Sequence, residues 1–115
     1  MRRLDRVRIV SEADKQLLRD LKSVILRFVP DATVILYGSV ARGKQEPESD
    51  IDVLVLSDRK VSRVEEAALD SAVYDLELDR EVVLSVMLHS KDEWQSPVLS
   101  QSFYHDNVTR EGILI

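Results

Sequence analysis

Two aspartates, Asp50 and Asp52, are separated by one residue at the start of an apolar run that predicts a β-strand over residues 50–57. Because alternate residues of a strand point to the same face, we expect their carboxylates to lie side by side. Two adjacent anions repel each other unless a cation lies between them. Mg²⁺ binds proteins through one or two carboxylates together with substrate phosphate oxygens, so the pair predicts a site for Mg²⁺ and a phosphate-bearing substrate.

A glycine-containing turn precedes the aspartates. Gly38 directly follows the apolar stretch 32–37, and a glycine lets a phosphate approach the backbone with no Cβ in the way. Ser39 adds a hydroxyl and an N–H at the expected start of a short helix, where anions are favoured. Arg42 and Lys44 could neutralise further phosphate charge, or could be ordinary loop charges. We therefore expect Gly38, Ser39 and Arg42 to bind phosphate while the aspartates bind metal.

The elements that must position these residues alternate between helix and strand. Ser11, with Asp14 three residues later, predicts the capped start of a helix that ends near Phe28, before Pro30. Such alternation favours the α/β class, with a small sheet covered by helices. The predicted order is helix 11–28, strand 32–37, strand 50–57, helix 62–78, strand 81–90 and two short helices within 91–112, with Pro97 opening the second and Gly112 closing it.

Composition limits the classes of function. A chain of 115 residues predicts one domain, residues 1–115, and its apolar runs are too short to span a bilayer, so a cytoplasmic location is expected. The net charge of −5 argues against a broad nucleic-acid surface, although residues 1–8 carry four arginines that we interpret as a solvated basic arm. The absence of cysteine excludes disulfides and thiolate metal sites.

The motif resembles that of a known family. Gly38-Ser39, ten intervening residues and Asp50-Ile51-Asp52 resemble the signature of the nucleotidyltransferase superfamily related to DNA polymerase β, in its minimal prokaryotic form. The closing residues 107–115 also look like the end of many such small domains. The resemblance implies a mixed sheet with flanking helices, in which Gly38 and Ser39 bind a nucleoside triphosphate. Asp50 and Asp52 would hold two Mg²⁺ ions, and AMP from ATP would pass to an acceptor hydroxyl.

The family pattern also calls for a third carboxylate on a later strand. In this chain the expected position holds Val82 or Val83, and Glu81 is the only acidic residue at the entry of the predicted strand. Glu81 shares a face with Val83, so a slightly shifted register could let Glu81 serve as the third catalytic carboxylate.

Small relatives of this kind are often encoded beside a helical partner of the HEPN class and act as antitoxins, some by transferring AMP to a tyrosine of the toxin. The resemblance implies such a partner here. Two alternatives are a binding module that neutralises a partner or senses nucleotide without catalysis, and a small RNA-modifying enzyme that uses the N-terminal arginines. The sequence leaves open whether the chain forms a homo-oligomer.

The aromatic residues near the end of the chain have two interpretations. Trp94, Phe103 and Tyr104 could form a wall for a nucleotide base, but core packing or a partner surface is the simpler interpretation. His89 and His105 are isolated from each other in sequence, and this spacing does not indicate a zinc site.

Overall fold

The structure, a computed structural model, describes residues 1–44, 46 and 49–115. The predicted helices and strands around the aspartates are present, and further short elements lie at both ends of the chain. In chain order the elements are β1 (Arg2–Arg3), a 3-10 turn (Leu4–Arg6), α1 (Glu12–Phe28), β2 (Thr33–Tyr37), α2 (Gly38–Ala41), β3 (Ile51–Ser57), α3 (Arg63–Arg80), β4 (Leu84–Ser90), α4 (Lys91–Trp94), α5 (Pro97–Ser100), α6 (Phe103–Glu111) and β5 (Ile113–Leu114).

The two long helices begin where their capping residues indicate. The Ser11 hydroxyl accepts a hydrogen bond from the Asp14 N–H at 3.1 Å, which satisfies one of the free donors at the start of α1. Helix α3 begins with a complete capping box formed by Ser62 and Glu65. Helix α1 ends at Phe28, directly before its C-cap Val29, as the position of Pro30 predicts.

The five strands form one mixed sheet in the order β1-β5-β2-β3-β4. Strands β1 and β5 are parallel, as are β3 and β4, whereas β2 pairs antiparallel with both of its neighbours. The parallel pair β3–β4 is connected by α3, since parallel neighbours need a crossover connection. The mixed sheet with flanking helices confirms the predicted fold class.

Helices α1 and α3 cover one face of the sheet, and the end of the chain covers part of the other. The first layer includes the fully buried side chains Leu18, Leu21, Ile25, Leu36, Val53, Val55 and Leu69. On the opposite face Ile35, Leu54 and Leu56 pack against Trp94 and Val108. Because Asp52 alternates with Val53, it lies on this second face, on the same side of β3 as Leu54.

Three predictions about the elements were wrong in detail. The sheet has two further strands, β1 and β5, of only two residues each, which are too short to show a periodic pattern. Residues 91–112 form three short helices instead of two, because Ser102 caps an additional one, although Pro97 and Gly112 lie where expected. Strand β4 begins at Leu84, since Glu81 is the left-handed C-cap of α3 with φ of 54°.

The N-terminal segment is not the solvated arm that its charges suggested. Arg2 and Arg3 form β1 beside β5, and Leu4 is buried in the core at 4% exposure. The Arg2 guanidinium donates a hydrogen bond to the backbone oxygen of Glu111 at 3.0 Å. The burial of Leu4 attaches the segment to the core, while the neighbouring charged side chains stay at the surface. Among the described residues, no helix has the length and apolar character needed to cross a membrane.

Candidate active site

The carboxylate of Asp52 lies directly against the α-carbon of Gly38. Tyr37, the last residue of β2, is the cross-strand partner of Asp52, and the chain turns at Gly38 with φ of +80°. A Cβ at position 38 would overlap Asp52 Oδ2, so any larger residue would displace this carboxylate. Glycine is therefore required twice here, for its left-handed backbone and for the close approach of Asp52.

The negative charges of the two aspartates are only partly compensated by neighbouring residues. Asp50 is exposed in the residue before β3, and Asp52 is partly buried on the strand. Burial raises the pKa of Asp52, and the negative charge of Asp50 raises it further, while Arg42 opposes the shift and Glu111 adds to it. A raised pKa means that the ionised form is disfavoured, so a cation bound here would be attracted by both side chains.

The donor set fits Mg²⁺ that is shared with a substrate. Within the ranges 1–44, 46 and 49–115, no group of three or more His, Cys, Asp or Glu side chains could hold a metal ion. Two carboxylates alone provide too few ligands for a closed protein site, but Mg²⁺ commonly binds one or two carboxylates and completes its shell with phosphate oxygens and water. Asp50 and Asp52 therefore suit a metal that arrives with a phosphate-bearing ligand.

Glu81, the expected third carboxylate, lies elsewhere. On β4 the residue in register with Asp52 is Ser85, and Glu81 precedes the strand at the end of α3. Glu81 lines a groove of about 900 Å³ together with Asp14 of α1 and Glu77 of α3. The structure thus brings Asp50, Asp52 and Gly38 together but does not bring Glu81 beside them. The catalytic role of Glu81 stays a prediction.

A carboxylate that the sequence analysis missed lies at the site. Glu111, the last residue of α6, accepts a hydrogen bond from the Gly38 N–H at 3.0 Å. The Arg42 guanidinium contacts both of its carboxylate oxygens, with Nη1 at 3.1 Å from Oε1 and 2.9 Å from Oε2. The Glu111 side chain is only 11% exposed, whereas that of Arg42 is 48% exposed. The one signal in the sequence was the family-like closing segment that contains Glu111.

Two backbone contacts fix the position of Glu111. Arg2 holds its backbone oxygen, as described above, and Gly112 ends the helix immediately after it. A Cβ at position 112 would overlap the backbone oxygen of Val108 in α6 and approach Ile35 Cγ2 of β2 to 3.0 Å, so glycine suits the close packing at this end of the helix. The end of α6 is therefore fixed next to Gly38.

Ser39 and Lys44 frame the turn that follows β2. Ser39 lies in the first turn of α2 and is partly buried, and its backbone oxygen accepts the Lys44 N–H at 3.0 Å. Lys44 is exposed, which suits either an ordinary loop charge or contact with a ligand. The three predicted phosphate-binding residues, Gly38, Ser39 and Arg42, all lie in the short helix α2 or at its C-cap, directly after β2.

Aromatic side chains border the site next to Asp52. The ring of Tyr37 lies 5.6 Å from that of Tyr104, which in turn contacts Trp94 at 5.1 Å. Burial raises the pKa of both tyrosine hydroxyls, so both stay neutral near pH 7. Trp94 is 6% exposed and belongs to the core, as the simpler interpretation predicted, whereas Phe103 is 88% exposed. His105 stacks on Trp94 at 4.4 Å, a packing contact.

The fold and the motif agree with a comparison against known protein families. The family described as "Nucleotidyltransferase domain" matches residues 16–109, and the chain belongs to this family. The match includes Gly38, Ser39 and both aspartates. No curated protein sequence matches the chain.

Solved structures with the same fold come from minimal nucleotidyltransferases and toxin–antitoxin complexes. A toxin–antitoxin crystal structure with AMP-PNP is 21% identical, with a TM-score of 0.59, over 84% of this chain and 69% of the other. A chain described as a minimal nucleotidyltransferase is 24% identical, with a TM-score of 0.56, over 88% and 94%. A chain in the complex of the tri-AMPylated Shewanella oneidensis HEPN toxin with an MNT antitoxin is 19% identical, with a TM-score of 0.53. The match covers 87% of this chain and 69% of the other.

Proposed function

We propose that residues 1–115 act as one nucleotidyltransferase domain that transfers AMP from ATP to a hydroxyl of a partner protein. The observation that carries the proposal is the contact between the Asp52 carboxylate and the α-carbon of Gly38, beside Asp50. It places a carboxylate pair that favours a cation next to the backbone N–H that we assign to the phosphate. Membership in the nucleotidyltransferase family supports the class of reaction.

Each site residue has a separate role in this proposal. The Gly38 and Ser39 backbone and the Ser39 hydroxyl would bind the triphosphate, and Arg42 would neutralise part of its charge. Asp50 and Asp52 would hold Mg²⁺, which when bound supplies activation of the attacking hydroxyl and stabilisation of the leaving pyrophosphate. Tyr37 borders the carboxylates and keeps its proton, so it adds no further negative charge.

The proposed acceptor is a protein because similar folds occur in complexes with proteins. One such complex contains a HEPN toxin that carries three AMP groups, and another contains AMP-PNP. By analogy, this chain would bind a helical HEPN-type toxin in the cytoplasm and act as its antitoxin by adding AMP to a toxin hydroxyl. The analogy rests on shared fold, since the sequences are about one fifth identical.

The decisive experiment compares Asp52→Asn with Asp70→Asn. The second variant is the control, because it removes the same charge from an exposed position of α3. Calorimetric titration of ATP with and without Mg²⁺ is expected to show metal-dependent binding in wild type and Asp70→Asn and its loss in Asp52→Asn. Label transfer from α-labelled ATP to a HEPN-type partner protein should fall by about 100-fold or more in Asp52→Asn. Transfer that survives this substitution would disprove the assigned role of Asp52.

A second candidate is a module that neutralises its partner without catalysis. It is favoured by one observation, that Ser85 and not a carboxylate lies beside Asp52 on β4. A stable complex with the partner, unchanged in Asp50→Asn/Asp52→Asn and with no label transfer by wild type, would support it. Glu81→Gln separates the candidates further, because reduced transfer in this variant would give Glu81 the predicted catalytic role.

A further inference from the structure

The Glu111 carboxylate contacts two hydrogen-bond donors of the site, the Gly38 N–H and the Arg42 guanidinium. Its Oε1 accepts the Gly38 N–H at 3.0 Å, and both of its oxygens contact Arg42 within 3.1 Å. A backbone N–H and a guanidinium in this arrangement are the groups that bind phosphate oxygens in proteins. Gly38 and Arg42 are also the donors that the proposed function assigns to the triphosphate.

We propose that Glu111 is an internal competitor of the donor nucleotide. Its carboxylate occupies the phosphate position at Gly38 and Arg42 in the free protein, and a triphosphate displaces it on binding. This inference rests on the proposed function, because it requires that phosphate binds at Gly38.

Displacement follows from the number of donors and from charge. The single N–H of Gly38 cannot donate full hydrogen bonds to two anions at once. A phosphate placed beside Glu111 and Asp52 would add negative charge to a site where these two carboxylates already repel each other. The bound state therefore has a lower free energy when the Glu111 side chain leaves the site and Arg42 turns to the phosphate.

The movement is confined to the side chain. Arg2 holds the Glu111 backbone oxygen, and Gly112, directly after α6, packs closely against Ile35 of β2. Rotation about the Glu111 side-chain bonds would release both donors, and the half-exposed Arg42 guanidinium can then turn to the phosphate. The competition selects for ligands with several negative charges, since a neutral nucleoside offers nothing to replace the carboxylate.

The test uses two substitutions that each remove one negative charge. Glu111→Gln keeps the shape of the side chain and an acceptor oxygen but removes the charge, whereas Glu66→Gln makes the same change at an exposed position of α3. Calorimetric titrations with ATP and Mg²⁺, and with inorganic tripolyphosphate, measure affinity. Glu111→Gln is expected to bind both ligands about tenfold more tightly than wild type, and Glu66→Gln is expected to match wild type.

The outcomes separate this inference from the proposed function. Metal-dependent ATP binding by wild type, with equal or weaker binding by Glu111→Gln, overturns the competition and leaves the proposed function intact. If neither wild type nor Glu111→Gln binds ATP, both the competition and the proposed function are overturned. A third readout works in the wild-type protein alone: the carboxyl ¹³C signal of Glu111 is expected to shift when Mg²⁺ and ATP saturate the site. An unchanged signal in the bound state contradicts displacement. If Glu111→Gln unfolds, Glu111→Asp replaces it: this variant keeps the charge but is shorter by one methylene, so its carboxylate is withdrawn from Gly38 and Arg42 and tighter binding of both ligands is again expected.

Discussion

Strand β3 has acidic residues near both of its ends, and their surroundings differ. Beyond Ser57, Asp58 contacts Lys91 Nζ at 2.6 Å and donates its own N–H to Asp31 at 2.6 Å. At the start of the strand, Asp52 is partly buried with Asp50 beside it, and the partly opposing charge of Arg42 is shared with Glu111. The carboxylates at one end are balanced within the fold, and those at the other are balanced only in part.

The difference is visible in proton affinity. At the end of β3, the hydrogen bonds from Arg59 and Ser62 lower the pKa of Glu65 to about 2, and the Asp58 N–H lowers the pKa of Asp31. At the start, burial and Asp50 raise the pKa of Asp52. The fold neutralises acidic groups at one end of the strand and only partly at the other, which supports the proposal that a positively charged ligand binds at the second end.

The largest effect is expected from Gly38→Ala, which would force Asp52 out of its position. The left-handed backbone and the overlap with Asp52 Oδ2 should lower the free energy of unfolding by about 1–3 kcal/mol and abolish Mg²⁺-dependent ATP binding. Thermal unfolding and calorimetry measure the two quantities. Gly43→Ala is the matched control, because it has φ of +68° but its nearest neighbour is Ile9 at 3.3 Å. It should be destabilised yet keep metal-dependent binding; loss of binding in both variants would contradict the assignment.

Neutralising each end of β3 should change stability in opposite directions. Without metal, Asp50→Asn/Asp52→Asn removes a like-charge pair and is expected to raise the free energy of unfolding by a few tenths of a kcal/mol. Asp58→Asn removes the contact with Lys91 and is expected to lower it. Urea denaturation at low ionic strength checks both signs. If both variants were destabilised, the proposed imbalance at the start of β3 would be wrong.

The smallest effect is a difference in titration. Carboxyl ¹³C shifts should show Glu65 titrating near pH 2 and Asp52 titrating above the ordinary range of aspartate. The Arg59–Glu65 contact therefore stabilises the fold fully above the ordinary glutamate pKa and is lost as the pH falls toward 2. The contribution of Asp52 to stability changes with pH in the opposite direction, because its protonation on acidification removes a destabilising charge. Equal pKa values for the two groups would remove the contrast between the ends of the strand.

The central part of the fold and of the site was predictable from sequence because local signals agree there. The apolar strands, the caps at Ser11 and Ser62 and the spacing of Gly38 from the aspartates each have a physical cause within a few residues. These features defined the α/β class and the residues that the structure brings together around Asp52.

The parts that were not predicted depend on distant contacts. Nothing local distinguishes Glu111 from other surface glutamates, because its role arises from Gly38 and Arg42, about 70 residues away. Strand β1 pairs only with β5, and β5 pairs with β1 and β2, so both short strands depend on partners that are distant in sequence. Glu81 adopts a left-handed conformation that glutamate rarely adopts, so its sequence favoured an earlier start of β4 than the structure shows.

The position of β5 between β1 and β2 has a consequence for the order of folding. Residues 113–114 are inserted between β1 and β2, so the sheet cannot be completed before this segment has been synthesised. A nascent chain that lacks these two residues leaves an edge of β2 unpaired, which favours association with other chains. Since Glu111 directly precedes this segment, its contact with Gly38 is expected to form together with the insertion of β5 and not earlier.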